Sequence, residues 1–291
     1  TRRQAMGQFK RTLYPKGHPN YSLDIDSQIQ FVENITADDL SSFHKNNYGL
    51  GTMIISAVGD LNSKNMTTGI RKAFKGWGFS SLKKKPSGLT ANEKKGSIEF
   101  VNIKDKTSAD VIVGIPIGID RNHSDYYPLV LGNYILGGNF SARLMQTVRD
   151  KEGLTYGIGS RVSGVDTGND GFWYVSGTFA PDLLNKGRKS ALKQIKAWVN
   201  KGVTAEELEN KKTTLTGSYK VGLATTSGLA GQILANAERG RKLSFLDEYP
   251  GIINGLSLKD VNGAIKTYIN VNMLVTVGAG TVDKNGNPLG D

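Results

Sequence analysis

The sequence predicts an α+β protein built from two homologous α/β sandwich units. Each unit has a mainly antiparallel sheet with helices on one face, and the first is expected to be truncated at its N-terminus. Three observations predict this class. Strand-like segments precede a run of helix-like segments, a capped helix followed by a strand occurs twice, and a lysine-rich stretch with linker composition lies between the copies. The expected organisation is the end of a first domain (1–78), a linker (79–96) and a second domain (97–291).

The internal repeat rests on a shared capping pattern. Thr36 is followed three residues later by Asp39, and Ser257 by Asp260, so a hydroxyl can cap each helix while a carboxylate favours its positive end. Each copy continues through an aromatic residue into a β-branched strand, predicted at 53–58 and 273–277. The two copies are about 220 residues apart, which is a plausible domain length. This spacing predicts that about 120 residues of the first copy lie upstream of Thr1.

The elements follow from local signals. Residues 1–34 are predicted to form a short helix and a loop rich in Pro and Gly. Gly153 is expected to end a helix in the left-handed conformation. Thr204 and Glu207 are predicted to form a capping box. The remaining predicted elements are helices 36–47 and 62–74, strands 97–103 and 108–117, a helix from Ser124 to the diglycine 137–138, helix 141–152, a hairpin of strands 155–164 and 171–179, and helices 181–200, 204–221 and 226–238.

Composition excludes several kinds of chemistry. The chain has 291 residues, a net charge of +11 and no cysteine, so it can form neither disulfides nor thiolate sites. The absence of cysteine is compatible with a periplasmic or secreted protein and does not decide the compartment. The lysines between 83 and 95 are interpreted as part of a solvated linker, so no nucleic-acid partner is expected. No apolar stretch is long enough to span a membrane.

The three histidines offer no zinc site. His18, His44 and His123 each lack a second histidine at helical spacing, so each is predicted to be a surface or capping residue. No nucleophile elbow or phosphate-binding loop is present either.

The segment 136–159 is the most informative one. A diglycine precedes a short helix, Arg149 falls in the last turn of that helix, and Tyr156 begins the next strand. Arg149 and Tyr156 are therefore predicted to face one cavity. The alternative is structural: Arg149 favours a helix C-terminus or pairs with a surface carboxylate, and Tyr156 is a half-buried strand residue.

This segment resembles the second homologous domain of the pitrilysin/insulinase family of zinc metallopeptidases, which includes the mitochondrial processing peptidases. The resemblance rests on the diglycine, Ser-Ala-Arg-Leu at 141–144 and Gly-Leu-Thr-Tyr at 153–156. Gly-His-Pro-Asn-Tyr at 17–21, together with residues 35–40 and 58–60, resembles the end of the family's first domain.

The resemblance implies a function and a set of residues. The family's His-x-x-Glu-His motif lies in the first domain and is not in this chain, so zinc is expected in the full-length enzyme or a partner subunit and none on this chain. Arg149 and Tyr156 match the family's conserved pair, and their hydrogen-bond donors would stabilise charge on the carbonyl oxygen of a bound peptide. Gly138 and Asn139 are predicted to bind substrate as well.

Two functions remain open from the sequence. The first is the C-terminal part of a zinc-dependent metalloendopeptidase, inactive without the zinc-bearing segment. The second is a non-catalytic partner subunit of the same family, with a role in assembly. The expected partners are an extended peptide and either a second subunit or the remainder of the first domain.

Overall fold

The computed structural model describes residues 1–51, 53–79, 88–93, 95–166 and 168–289. The chain separates into two compact units. The sheet unit comprises the described residues within Thr1–Asp24, Pro86–Thr213 and Ile253–Asp291, and the helical unit those within Ile25–Lys85 and Thr214–Ile252. The α-helices are α1 (Arg2–Leu13), α2 (Ile25–Glu33), α3 (Ala37–Asn47), α4 (Ser63–Ala73), α5 (Tyr126–Gly137), α6 (Leu184–Lys201), α7 (Ala205–Leu223), α8 (Thr226–Glu238), α9 (Phe245–Gly255) and α10 (Leu258–Tyr268).

The sheet unit is organised around five strands. They are β1 (Ser97–Asn102), β2 (Ala109–Pro116), β3 (Gly157–Ser163), β4 (Phe172–Phe179) and β5 (Val275–Gly280), in the spatial order β1-β5-β2-β4-β3. β1 and β5 are parallel, and the other neighbouring pairs are antiparallel. The predicted α+β class and the mainly antiparallel sheet are confirmed, and β3 and β4 form the predicted hairpin.

Both faces of this sheet are covered. Adjacent residues of a strand point to opposite faces, and in β4 Phe172 packs edge-on against Phe9 of α1, with ring centroids 5.9 Å apart. Trp173 stacks instead on Trp198 of α6, at 5.6 Å. The central strand β2 is consequently buried along its whole length.

Helix α1 joins the N-terminal segment to the sheet unit. Ala5, Phe9 and Leu13 are spaced along one face of α1 and are buried in a core with Ile112 and Val277. The compact units therefore do not follow the expected boundaries, because residues 1–24 share a core with the predicted second domain. The expected division into homologous domains stays a prediction, and residues 80–87 and 94 of its linker lie outside the described residues.

The loop after α1 is fixed by a buried polar network. His18 donates from Nε2 to Asp170 Oδ1 at 2.6 Å, and its Nδ1 accepts from the backbone N–H of Asn20 at 3.0 Å. The Tyr14 ring stacks on the His18 ring at 4.2 Å, and its hydroxyl donates to the Asp170 carbonyl. His18 is thus a buried structural residue, so the predicted surface position is wrong, whereas its Nδ1 bonds a backbone N–H as the predicted capping role requires.

In the helical unit the predicted capping box is present. The Thr36 hydroxyl accepts from the Asp39 backbone N–H, and the Asp39 carboxylate accepts from the Thr36 backbone N–H, as Ser257 and Asp260 do at α10 in the sheet unit. The strand predicted at 53–58 is wrong, since the described residues there form no strand. A β-branched segment needs a neighbouring strand to complete its hydrogen bonds, and 53–58 has none in the part of the chain that the structure describes.

The helical unit carries many exposed apolar side chains. Phe31 is 64% exposed and Val32 67% exposed, although burial of such side chains normally drives folding. Further exposed apolar residues of this unit are Ile25, Ile29, Leu40, Phe43, Tyr48, Leu50, Ile54, Ile55, Leu61, Met66, Phe79, Val221 and Leu243. We refer to this set, including Phe31 and Val32, as the exposed apolar surface. Among the described helices, none combines the length and the hydropathy needed to cross a bilayer.

Candidate functional site

Arg149 lies on a π-helix, Met145–Lys151, where the sequence predicts an ordinary helix over 141–152. The wider turn is visible in the bond from the Glu152 N–H to the Thr147 carbonyl, at 2.9 Å. The side chains of Met145 and Val148 are buried, so the π-helix packs against the protein through them. Gly153 ends it with φ +63°, as predicted. Isolated π-helical turns are frequent at functional sites.

Tyr156 lies immediately before β3, on a turn that Thr155 fixes. The Thr155 hydroxyl oxygen accepts from the Gly157 N–H at 3.1 Å, and the hydroxyl itself donates to the Thr178 carbonyl of β4. With its backbone held in this way, the Tyr156 side chain is 90% exposed. The alternative in which Tyr156 is a half-buried strand residue is therefore wrong.

The structure brings Arg149 and Tyr156 together on an exposed surface. The guanidinium carbon of Arg149 lies 5.4 Å from the Tyr156 ring centroid and 5.9 Å from that of Phe140, both within cation–π range. Asp150 Oδ1 lies 3.9 Å from Arg149 Nε, which is an ion pair but not a hydrogen bond. Arg149 thus also has the place in a last helical turn and the surface carboxylate that the structural alternative predicts. Within the described residues the Arg149 guanidinium has no hydrogen-bond acceptor, so its donors are available to a ligand.

The diglycine that precedes the π-helix approaches the protein's own backbone. A Cβ on Gly137 would lie 2.6 Å from the Ser160 nitrogen of β3, and one on Gly138 would lie 2.7 Å from Tyr134 Cα. The diglycine in the sequence indicates that the backbone approaches another group closely here, but it does not reveal which group. Gly137 brings the end of α5 against β3, and so fixes where the loop 138–141 begins.

We expect Gly137→Ala to destabilise the sheet unit. The new methyl group would meet backbone of β3, which cannot move aside as a side chain can, and overpacking of this kind typically costs about 1–3 kcal/mol. Urea unfolding of Gly137→Ala and of Gly217→Ala provides the measurement and its control, because a Cβ on Gly217 would meet nothing within 4 Å. Equal stability of the Gly137 variant and the unmodified chain would show that the contact is not tight.

Asn139 and Lys211 hold the loop 138–141 in place. The Asn139 side-chain amide donates to the Tyr134 carbonyl at 2.8 Å, and its oxygen accepts from the Ser141 N–H at 3.0 Å. Lys211 of α7 donates to Asn139 Oδ1 at 3.1 Å, to the Ser141 carbonyl at 3.0 Å and to the Ser141 hydroxyl at 2.6 Å. Burial lowers the pKa of Lys211, against the opposing charge of Glu207. The polar atoms of the Asn139 side chain are therefore already bonded within the protein.

One turn before Lys211, Glu207 binds the segment that leads into the π-helix. Arg143 donates from Nε to Glu207 Oε1 at 2.6 Å and from Nη2 to Glu207 Oε2 at 2.5 Å. Glu207 also accepts from the Thr204 N–H at 2.8 Å, which confirms the predicted capping box. Burial alone would raise the pKa of Glu207, but the hydrogen bonds from Arg143 and Thr204 outweigh it and leave that pKa below the ordinary value. The start of α7 thus anchors both ends of residues 139–143.

Sequence reasoning missed Phe140 and Lys211. Phe140 is one apolar residue in a short loop, and Lys211 is one of many lysines, so neither carries a local pattern. The contact between Lys211 and Ser141 joins residues 70 positions apart and becomes visible only in the fold.

The residues present do not fit a zinc ion. In the described part of the chain, no three His, Cys, Asp or Glu side chains are placed to share a metal. His18 is engaged with Asp170, His44 stacks on Tyr48 with ring centroids 5.2 Å apart, and His123 lies 3.9 Å from Asp125.

Comparison with known proteins gives the family. The sequence model described as the peptidase M16 inactive domain matches residues 34–215, more than half of the chain. The chain belongs to the peptidase M16 family. The resemblance to pitrilysin/insulinase-type metallopeptidases is thereby confirmed, and the matched range includes Phe140, Arg149, Tyr156 and Lys211.

Individual M16 relatives are similar over most of this chain. It is 26% identical over 232 residues to a Bacillus subtilis protein named "Uncharacterized zinc protease YmxG", covering 80% of this chain and 55% of that protein. It is 26% identical over 245 residues to a Helicobacter pylori protein named "Non-peptidase homolog YmxG", covering 84% and 55%. The crystal structure of a peptidase M16 inactive domain from Pseudomonas fluorescens superposes with a TM-score of 0.80 at 28% identity, covering 98% of this chain and 66% of that one. The chain thus spans about half the length of these two sequence relatives.

Proposed function

We propose that this chain is the C-terminal part of a zinc-dependent metalloendopeptidase, in which it binds the peptide substrate through Arg149 and Tyr156 and carries no zinc itself. One observation carries the proposal. An exposed phenol and a guanidinium without a hydrogen-bond acceptor among the described residues lie side by side, 5.4 Å from guanidinium carbon to ring centroid. The membership of this chain in the M16 family and the name of the Bacillus relative support a role in peptide hydrolysis.

The two side chains have the chemistry that a peptide carbonyl requires. A carbonyl oxygen only accepts hydrogen bonds, and both the Tyr156 hydroxyl and the Arg149 guanidinium donate them. When a nucleophile attacks the carbonyl carbon, negative charge grows on this oxygen, and fixed donors aimed at it are worth about 2.7–4 kcal/mol each. The Thr155 contacts fix the backbone beside Tyr156, and the π-helix that carries Arg149 is anchored by the buried Met145 and Val148.

Gly138 and Asn139 contribute to this proposed site through the shape of their loop. The Gly138 N–H donates to the Tyr134 carbonyl at 3.2 Å, and the Asn139 side chain bonds Tyr134, Ser141 and Lys211. We therefore propose that Gly138 and Asn139 act by holding residues 138–141 beside Arg149. Direct hydrogen bonds to substrate are assigned to Arg149 and Tyr156 alone.

The exposed apolar surface supports a further partner. We propose that a second subunit or a further segment of the same protein covers it, and that this partner supplies the zinc ligands. The extent of exposed apolar area in the helical unit favours burial against protein. The coverage of only about half of the relatives' length is consistent with an additional segment.

A second candidate function is a non-catalytic partner subunit. The name of the Helicobacter relative, "Non-peptidase homolog YmxG", favours it, because a protein of similar sequence is described as lacking peptidase activity. In this case the chain would bind peptide or partner without taking part in cleavage.

Peptide binding by this chain tests the proposal. The probe is a fluorescein-labelled, unstructured 15-residue peptide, and fluorescence polarisation is measured for the unmodified chain, for Arg149→Ala and for Arg161→Ala. Arg161 is an exposed arginine of β3, so its variant controls for the loss of one positive charge. We expect at least tenfold weaker binding only for Arg149→Ala, since charge-assisted hydrogen bonds contribute about 1.5–3 kcal/mol. Equal weakening by both variants would indicate nonspecific charge attraction and contradict the proposal.

Cleavage separates the two candidates. The longer parent protein is assayed for zinc content and for hydrolysis of the same peptide. Bound zinc together with cleavage supports the peptidase, and peptide binding without either supports the partner subunit.

A further inference from the structure

Phe140 is the apolar neighbour of the proposed peptide site. It is 79% exposed, and its ring centroid lies 5.9 Å from the guanidinium carbon of Arg149. Arg149 thus lies within cation–π distance of two exposed aromatic rings, those of Phe140 and Tyr156. A single exposed phenylalanine is common on protein surfaces, so what distinguishes Phe140 is its position beside Arg149 and the way its loop is held.

The loop that carries Phe140 is more firmly held than its exposure suggests. The residues on either side, Asn139 and Ser141, together accept three hydrogen bonds from Lys211, which is all that an ammonium group can donate. The Ser141 hydroxyl also donates to Asn139 Oδ1 at 2.9 Å. Lys211 itself belongs to a helix whose first turn is fixed by the Arg143–Glu207 contact. An exposed aromatic ring on a fixed backbone resembles the rigid anchors found in binding sites.

We propose that Phe140 is a third contact for the bound peptide, taking an apolar side chain of the peptide, and that Lys211 is the positioning residue that holds Phe140 there. This inference rests on the proposed function of Arg149 and Tyr156. The peptide is taken as extended, as expected for the proposed substrate, so its side chains follow at intervals of about 3.3 Å and point alternately to opposite sides. A neighbouring side chain therefore passes over the Phe140 ring, and burial of both apolar groups favours Leu, Ile or Phe over a polar residue at that one position.

A purely structural role for Phe140 makes a different prediction. If the ring only shields Arg149, removing it changes the affinity for every peptide by the same factor. If the ring contacts a peptide side chain, removing it changes the preference among peptides. The ratio of two affinities therefore distinguishes the two roles, since a general loss of structure lowers both affinities together.

The test uses this 291-residue chain and a set of fluorescein-labelled 12-residue peptides of Gly and Ser, in which a single Leu is moved along the sequence. We expect the unmodified chain to bind the peptide with Leu at one position about tenfold more tightly than the same Gly/Ser peptide without Leu, the Leu-free peptide. Phe140→Ala should reduce this ratio to about one while the Leu-free peptide still binds, and Phe140→Tyr should preserve the ratio. Arg149→Ala should weaken binding of every peptide.

Lys211→Met tests the positioning role, with Lys220→Met as control on the same helix α7. We expect the Lys211 variant alone to lower the Leu preference while it still binds the Leu-free peptide, which shows that the site itself is intact. An unchanged ratio in Phe140→Ala, or no preferred Leu position in the unmodified chain, would overturn the inference and leave the proposed function standing. Unchanged binding in Arg149→Ala, or no peptide binding at all, would overturn the proposed function itself.

Discussion

In the complete peptidase proposed above, Tyr156→Phe is expected to lower kcat about 100- to 1000-fold with little change in KM. The substitution removes one hydroxyl and leaves the ring beside Arg149, so it deletes only the proposed hydrogen bond to the oxygen on which charge develops. Loss of a single donor of this kind typically costs about 2.7–4 kcal/mol of transition-state stabilisation. Steady-state kinetics on one defined peptide provides the measurement.

Tyr174→Phe is the matched control for this kinetic prediction. Tyr174 lies on β4 of the same unit and packs beside Phe172, with ring centroids 5.6 Å apart, in the core that contains α1. Its loss of a hydroxyl should leave kcat unchanged. A Tyr156→Phe variant with the kcat of the unmodified enzyme would remove Tyr156 from the mechanism.

Asp170→Ala is expected to lower the free energy of unfolding by about 3 kcal/mol. The Asp170 carboxylate accepts from His18 Nε2 at 2.6 Å and from the Ala91 N–H at 2.9 Å, so it joins the N-terminal segment and residue 91 to the β3–β4 connection. Its removal leaves the buried His18 ring, whose side chain is 0% exposed, without an acceptor for its Nε2 proton. Hydrogen bonds to a charged acceptor typically contribute about 1.5–3 kcal/mol, and a buried donor left without its acceptor costs about 1–3 kcal/mol.

Tyr14 makes the effect of that deletion larger. Burial, followed by the charge of Asp170, raises the pKa of the Tyr14 phenol well above its usual range, so the hydroxyl stays protonated and donates to the Asp170 carbonyl. Movement of the Asp170 backbone would expose this contact as well. Urea unfolding of Asp170→Ala is compared with Asp166→Ala, an exposed aspartate of the same connection. Similar small losses for both variants would show that the network is not a main source of stability.

The sequence carried enough information for most of the local structure. The capping boxes at Thr36 and Ser257 were predictable because a hydroxyl and a carboxylate three residues apart satisfy the free N–H groups of a helix start. The strands of the sheet unit were predictable from β-branched runs, and Gly153 from the need for positive φ. Each of these signals acts within a few residues of the chain.

Features that depend on distant contacts were not predictable. The place of α1 on the second face of the sheet is decided by Phe9 and Phe172, which are 163 positions apart in the chain. Helix α9 contains Pro250, which locally disfavours a helix interior, and the sequence therefore gave no indication of it. The strand predicted at 53–58 fails for the opposite reason, because its local preference finds no neighbouring strand among the described residues.

The candidate site shows the same division. Arg149 and Tyr156 were predicted from the pattern around Gly153, which fixes the turn between them. The π-helical geometry that carries Arg149 has no sequence signal of its own. Phe140 and Lys211 enter the site through the contact between α7 and the loop 138–141, which the sequence does not reveal.

Photo-cross-linking with a reactive peptide tests the central claim most directly, namely that the surface formed by Phe140, Arg149 and Tyr156 touches the bound peptide. The peptide carries one p-benzoylphenylalanine, and the cross-linked residues of the unmodified chain are mapped by mass spectrometry. We predict cross-links within residues 138–156 that an excess of unlabelled peptide removes. Competable cross-links confined to β1, at the opposite edge of the sheet from β3, or to the helical unit would contradict the account.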